Sequence, residues 1–165
     1  MNTRSDNEDI FPDQECKQAA SKALKLLLHQ DRTRAGLEQK LTNAGFSQKA
    51  TDFAVDYAAG YGYLDDVKYA RNYIEYKKTT KSRMEIVYKL REKGVSDYDM
   101  EEAFSEYTTD DEYGALKERL AKRLKNVPAA DMTFEEKQKH IRYLTGCGFP
   151  MPLAKRAFSE FEGDS

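Results

Sequence analysis

Three stretches of this chain share one pattern. They are Leu41-Thr42-Asn43-Ala44-Gly45-Phe46-Ser47, Leu90-Arg91-Glu92-Lys93-Gly94-Val95-Ser96 and, more loosely, Leu144-Thr145-Gly146-Cys147-Gly148-Phe149-Pro150. Each reads as the end of one helix and the start of the next. A glycine suits the left-handed position just past a helix, where a Cβ would clash. With Gly45, Gly94 and Gly148 there, Leu41, Leu90 and Leu144 fall three positions before the cap. Phe46, Val95 and Phe149 fall just beyond it, completing the apolar pair of a Schellman closure. Ser47 and Ser96 can cap the following helix, and Pro150 can open one with its preset φ. Three copies of one corner predict three copies of one structural unit.

The rest of the chain keeps the same beat. A base stands equally far before each corner glycine (Arg34, Arg83, Lys137), and an alanine equally far after it (Ala54, Ala103, Ala157). Helical spacing of apolar residues predicts nine helices, over 13–29, 34–44, 48–61, 66–79, 82–93, 97–107, 111–125, 133–147 and 150–161. Asp65-Asp66 and Asp110-Asp111 each read as the opening of a new unit, an acid at a helix start being favoured by the dipole. Thr133 and Glu136 have capping-box spacing, as do Ser96 and Asp99. The expected fold is all-α: three tandem three-helix repeats in an elongated, curved array. The units are expected at 13–62, 63–108 and 109–165, after a disordered polar segment at 1–12. Units of this size are marginal alone and gain by stacking.

Composition narrows the function. Charged residues are 34% of the chain and net charge is only -2, so the chain is not basic throughout. The charge is uneven, however. Nine Lys and Arg face three Glu between Lys68 and Lys93; eight acids and no base lie between Asp97 and Glu112; five bases face one acid between Ala115 and Asn126. Cys16 and Cys147 are isolated, which speaks against a disulfide framework and for a reducing compartment. The polar, acidic start is unlike a signal peptide, and no apolar run is long enough for a membrane span. The expectation is a cytoplasmic protein without a membrane partner.

Catalytic chemistry finds no support. His29 and His140 have no ligand-spaced neighbour and read as structural or solvated. The two cysteines lie in no nucleophile motif, and Gly60-Tyr61-Gly62 is too short for a phosphate loop. Asp65-Asp66 is better read as helix capping than as a metal pair. No enzyme, metal or cofactor is expected. What remains is basic residues interleaved with tyrosines. The nominated contact residues are Lys68, Arg71, Lys77, Lys78, Lys81, Arg83, Lys89, Arg91 and Lys93 in the second unit, and Arg119, Lys122 and Arg123 in the third. Tyr69, Tyr73, Tyr76 and Tyr88 stand among them. Each residue alone reads as solvated helix surface, but the cluster suits phosphates or an acidic protein groove.

Gly62-Tyr63-Leu64-Asp65-Asp66, the run Tyr69-Ala70-Arg71 and the corner Leu90 to Ser96 resemble the RecX family. Ala23-Leu24-Lys25-Leu26-Leu27 and Leu37-Glu38-Gln39-Lys40-Leu41 resemble its first unit, and the likeness covers about residues 15 to 162. Gly148-Phe149-Pro150 and the low net charge depart from it. The resemblance implies a non-enzymatic modulator, expected as a monomer, that lies along the RecA–DNA filament and limits recombinase activity in DNA repair, recombination and the SOS response. It also implies possible contact with single- or double-stranded DNA. A sequence-independent nucleic-acid-binding module and a helical scaffold for another protein are the alternative readings.

Overall fold

In the computed structural model, which describes residues 10–163, helix starts are set by side-chain oxygens. Asp13, Thr33, Ser47, Asp65, Ser82, Ser96, Thr108 and Thr133 each accept the amide three residues on. Such a cap satisfies one of the orphan donors of a first turn and contributes about 1 kcal/mol. The helices are α1 Gln14–His29, α2 Arg34–Asn43, α3 Gln48–Gly60, α4 Asp66–Lys77, α5 Arg83–Glu92, α6 Asp97–Ala103, α7 Thr109–Leu124, α8 Phe134–Gly146 and α9 Met151–Gly163. A 3₁₀ turn, Ala129–Asp131, links α7 to α8. The described residues contain no strand.

The three corners are built alike. Gly45, Gly94 and Gly148 have φ of 93°, 82° and 93°. Phe46, Val95 and Phe149 donate their amides to the carbonyls of Leu41, Leu90 and Leu144 at 3.3, 3.0 and 3.1 Å. Leu41, Leu90 and Leu144 are fully buried, which stabilises by roughly 1.5–3 kcal/mol each. Tyr63 repeats the device, donating to Ala58 across Gly62.

The principal helix packing stays inside three triplets: α1–α3, α4–α6 and α7–α9. Each triplet closes on its own apolar cluster. Ala19, Ala23, Leu37, Leu41 and Ala54 lie in the first, Ala70, Ile74, Ile86, Leu90 and Met100 in the second, and Leu116, Leu120, Leu144, Ala154 and Phe158 in the third. Residues 1–9 of the expected disordered segment lie outside the described residues. Phe11, expected within that segment, packs on Phe53 and Tyr57 with ring centres 5.7 and 5.4 Å apart.

Three local expectations are corrected. Helix α7 begins at Thr109, not Asp111: Thr108 is the cap and Asp111 is the reciprocal acid of a capping box. Asp110-Asp111 is therefore not the counterpart of Asp65-Asp66. Helix α6 ends at Ala103, and a separate turn follows, in which Tyr107 donates to Phe104. Helix α8 has 13 residues against 10 in α2 and α5. Lys137 thus lies one turn inside α8, and Phe134 holds the first position that Arg34 and Arg83 hold elsewhere.

Neighbouring triplets meet by one repeated joint. The capping hydroxyl of Thr33 donates to the Lys93 carbonyl at 2.6 Å, and that of Ser82 to the Cys147 carbonyl at 2.7 Å. Both carbonyls lie just before a corner glycine. The first helical amide is also taken from the next triplet. Arg34 donates to Asp66 Oδ1 at 2.8 Å, and Arg83 donates to Glu112 Oε1 at 3.1 Å. With Leu116 and Leu120 set on Ala70 and Ile74, Glu112 falls on Asp66. The two joints are thus equivalent.

Candidate functional site

Helix α5 carries its bases on more than one side, because 3.6 residues per turn scatter a cluster that is contiguous in sequence. Arg83 lies over the Phe104 ring at 4.2 Å and the Tyr107 ring at 5.6 Å. Arg91 pairs with Asp97 at 3.0 Å. These two bases share a depression with Val87, Met100 and Glu101, toward α6. Lys81 and Lys89 face another way, into a groove with Lys77. Lys93 and Lys68 border separate hollows at the joint between the first two triplets.

Several nominated bases are engaged within the fold. Arg119 has only 18% of its side chain exposed and donates to the Thr80 carbonyl at 2.8 Å and to both Glu85 oxygens at 3.1 and 3.2 Å. Burial alone raises the Glu85 pKa; hydrogen bonds from Arg119 and the Ser82 amide outweigh it and hold the carboxyl below its usual value. Arg123 stacks 3.8 Å over Tyr143 and donates to His140 Nδ1 at 3.0 Å. Lys78 bridges Glu75 and Asp111 at 2.9 and 3.8 Å. Arg71 and Lys122 make more exposed pairs, with Glu102 and Glu118, of a kind that contributes little.

The groove brings three nominated bases together with tyrosines and apolar surface. Its volume is about 650 Å³. Tyr73 and Lys77 come from α4, Met84, Ile86, Tyr88 and Lys89 from α5, and Gly146 and Cys147 from the α8–α9 corner. Met84 is 66% exposed and Tyr88 61%. Lys77 lies 4.7 Å over the exposed Tyr76 ring. Lys89 pairs with Glu92 at 2.7 Å, a hydrogen bond that raises its pKa. The joint positions the far wall, since the Ser82 hydroxyl holds the Cys147 carbonyl.

Met84 and Cys147 were not among the nominated residues. An exposed methionine at a helix start carries no periodic signal, and nothing in the sequence brings the third corner to the second unit's middle helix. Cys16 is fully buried, and burial pushes its thiol up. Among the described residues no group of three or more His, Cys, Asp or Glu is placed to hold a metal ion. No helix among them is long and apolar enough to cross a membrane.

Residues 65–103, helices α4 to α6, match the family description "RecX, second three-helix domain". The regulatory protein RecX of Vibrio vulnificus is 30% identical over 150 residues, covering 90% of this chain and 94% of that protein. The regulatory protein RecX of Leuconostoc mesenteroides is 31% identical over 139 residues, covering 83% of this chain; the chain spans about half of that longer relative, 52%. The crystal structure of RecX from Lactobacillus salivarius superimposes with a TM-score of 0.79 at 23% identity, covering 90% of this chain and 97% of that one.

Proposed function

The chain belongs to the RecX family of regulatory proteins, and from that premise we propose that it binds a RecA–DNA filament and lowers recombinase activity in DNA repair and recombination. The supporting observation is the convergence of Lys77, Lys81 and Lys89 with Tyr73, Tyr88 and Met84 beside a joint between triplets. Exposed aromatic and methionine surface ringed by cations is the composition of a contact face. The triplets are read as repeats 13–62, 63–108 and 109–165, so that one molecule offers successive contacts to a polymer whose subunits also repeat. Lys68, Arg71, Arg91, Lys93 and Lys122 lie elsewhere on the surface, as separate candidate contacts. Arg83, Lys78, Arg119 and Arg123 hold the fold that presents it.

The test is a steady-state ATPase assay of RecA filaments on single-stranded DNA. Added protein is expected to lower the rate at fewer molecules than one per recombinase subunit. An unchanged rate at every ratio overturns the reading. Tight, steeply salt-dependent binding to naked DNA with no ATPase effect would instead favour a nucleic-acid-binding module.

A further inference from the structure

The chemistry of the groove is more specific than a cationic surface. Its lining includes apolar surface from Tyr73, Met84, Ile86, Tyr88 and Cys147, with the cations Lys77, Lys81 and Lys89 beside it. Lys81 reaches Glu85 Oε2 at 3.6 Å, but that carboxylate is already satisfied by Arg119 and the Ser82 amide. Lys81 is therefore the outermost and least committed of that carboxylate's partners. Lys89 lies 5.9 Å over the Tyr88 ring and pairs with an exposed carboxylate, Glu92, and such a pair opens readily to a better partner. Lys77 rests on a tyrosine ring.

We infer that this groove takes an acidic segment of a partner protein that inserts a large apolar side chain. Unbranched Met84 adapts its shape to an entering side chain, while the three lysines receive the flanking carboxylates. A nucleic-acid strand fits less well. Phosphates demand a continuous run of cations, whereas here Met84, Ile86 and Cys147 line the groove with the lysines and the Glu85 carboxylate lies among them. The inference deepens the regulatory reading above and rests on it for which protein supplies the segment.

Cys147 gives a local readout. It is half-buried in the groove wall, while Cys16 is fully buried, so a maleimide reports on Cys147 in the folded full chain. The probe is a fluorescein-labelled nonapeptide of aspartate and glutamate carrying one leucine and one phenylalanine. Its binding, followed by anisotropy, is expected to slow Cys147 alkylation at least 5-fold, with the same midpoint. Replacing the two apolar residues by serine is expected to weaken binding at least 10-fold, as is Met84→Glu. The triple change Lys77→Glu, Lys81→Glu and Lys89→Glu abolishes it. Retained helicity shows that the variants fold. Equal binding of the serine peptide, no protection of Cys147, or protection by a 20-mer oligothymidylate in place of the peptide overturns the inference. None of these outcomes changes the ATPase response, and a flat ATPase response leaves the peptide result standing, so the two readings fail separately.

Discussion

The two joints between triplets share three contacts and differ in one brace. Both have a capping hydroxyl on a corner carbonyl, a first-turn amide on an acid from the next triplet, and a corner glycine against the helix start. At the second joint, Glu85 completes the Ser82 capping box and Arg119 clamps it from α7. At the first joint the position of Glu85 is held by Gly36, and that of Arg119 by Tyr73. No capping-box acid exists there, and the hollow beside Thr33 has a volume of about 330 Å³ and is bordered by Arg32, whose buried Nε lacks a hydrogen-bond partner. The shared contacts set register; the added brace sets stiffness. The second joint, which builds the groove, is the one that carries the brace.

The corner glycines break this comparison most severely. A Cβ on Gly94 would lie 2.3 Å from Ala35 Cβ, and one on Gly148 would lie 2.6 Å from Met84 Cβ and 3.0 Å from Ser82 Oγ. At Gly45 a Cβ meets nothing within 4 Å. Gly45→Ala therefore costs only the left-handed backbone term, about 1–2 kcal/mol. Gly94→Ala and Gly148→Ala add overpacking of about 1–3 kcal/mol each. Urea denaturation is expected to rank Gly45→Ala as mildest, and equal losses at the three corners would dissolve the distinction between docked and free corners. Amide exchange should also rise at the touched joint in the latter two variants.

A smaller effect isolates the brace. Arg119→Met removes charge-assisted bonds to Glu85 and the Thr80 carbonyl while keeping the stem, and about 1–3 kcal/mol is expected to be lost. The loss should fall on the second joint, read as faster exchange in α5 and faster alkylation of Cys147. Tyr73→Phe, at the matching place on α4, should change neither by a measurable amount. If both variants behave alike, Arg119 is no brace.

The corners were legible in sequence because their chemistry is local. Glycine, the leucine before it and the apolar residue after it lie within six positions, and one backbone geometry demands all three. Eight capping side chains are equally local, and Ser47, Asp65 and Ser96 were read correctly from spacing alone. The joints were not legible, since Ser82 and Cys147, or Thr33 and Lys93, are far apart in the chain and a hydroxyl that caps one helix shows no second partner in sequence. The same holds for the basic cluster. Counting charges grouped Lys77, Lys81 and Lys89, which line the groove, with Arg119 and Arg123, whose engagement with Glu85 and His140 depends on packing between helices. Asp110-Asp111 misled because an acid pair suits both the cap and the first turn. Thr108, two residues earlier, was the better oxygen.

The third triplet offers the smallest and most local test. His140 is half-buried on α8, stacked on Phe158 at 6.3 Å and accepting from Arg123. Burial lowers its pKa first, and the charges of Arg123 and Lys139 lower it further against the weaker pull of Glu136. In the unfolded chain it titrates near the ordinary histidine value of about 6.5. Above that pH both states are neutral at this site and the full stability is present. As pH falls below it, the unfolded chain takes up a proton that the folded chain refuses, so stability declines until the folded histidine also titrates. The carboxylates held low by their partners, Glu85, Glu92 and Glu160 among them, have an unfolded reference of 4.5, so their losses come at lower pH. Urea midpoints between pH 7.5 and 5.5 should therefore fall in the parent protein and flatten in His140→Asn. A slope that persists in His140→Asn would place the titrating group elsewhere.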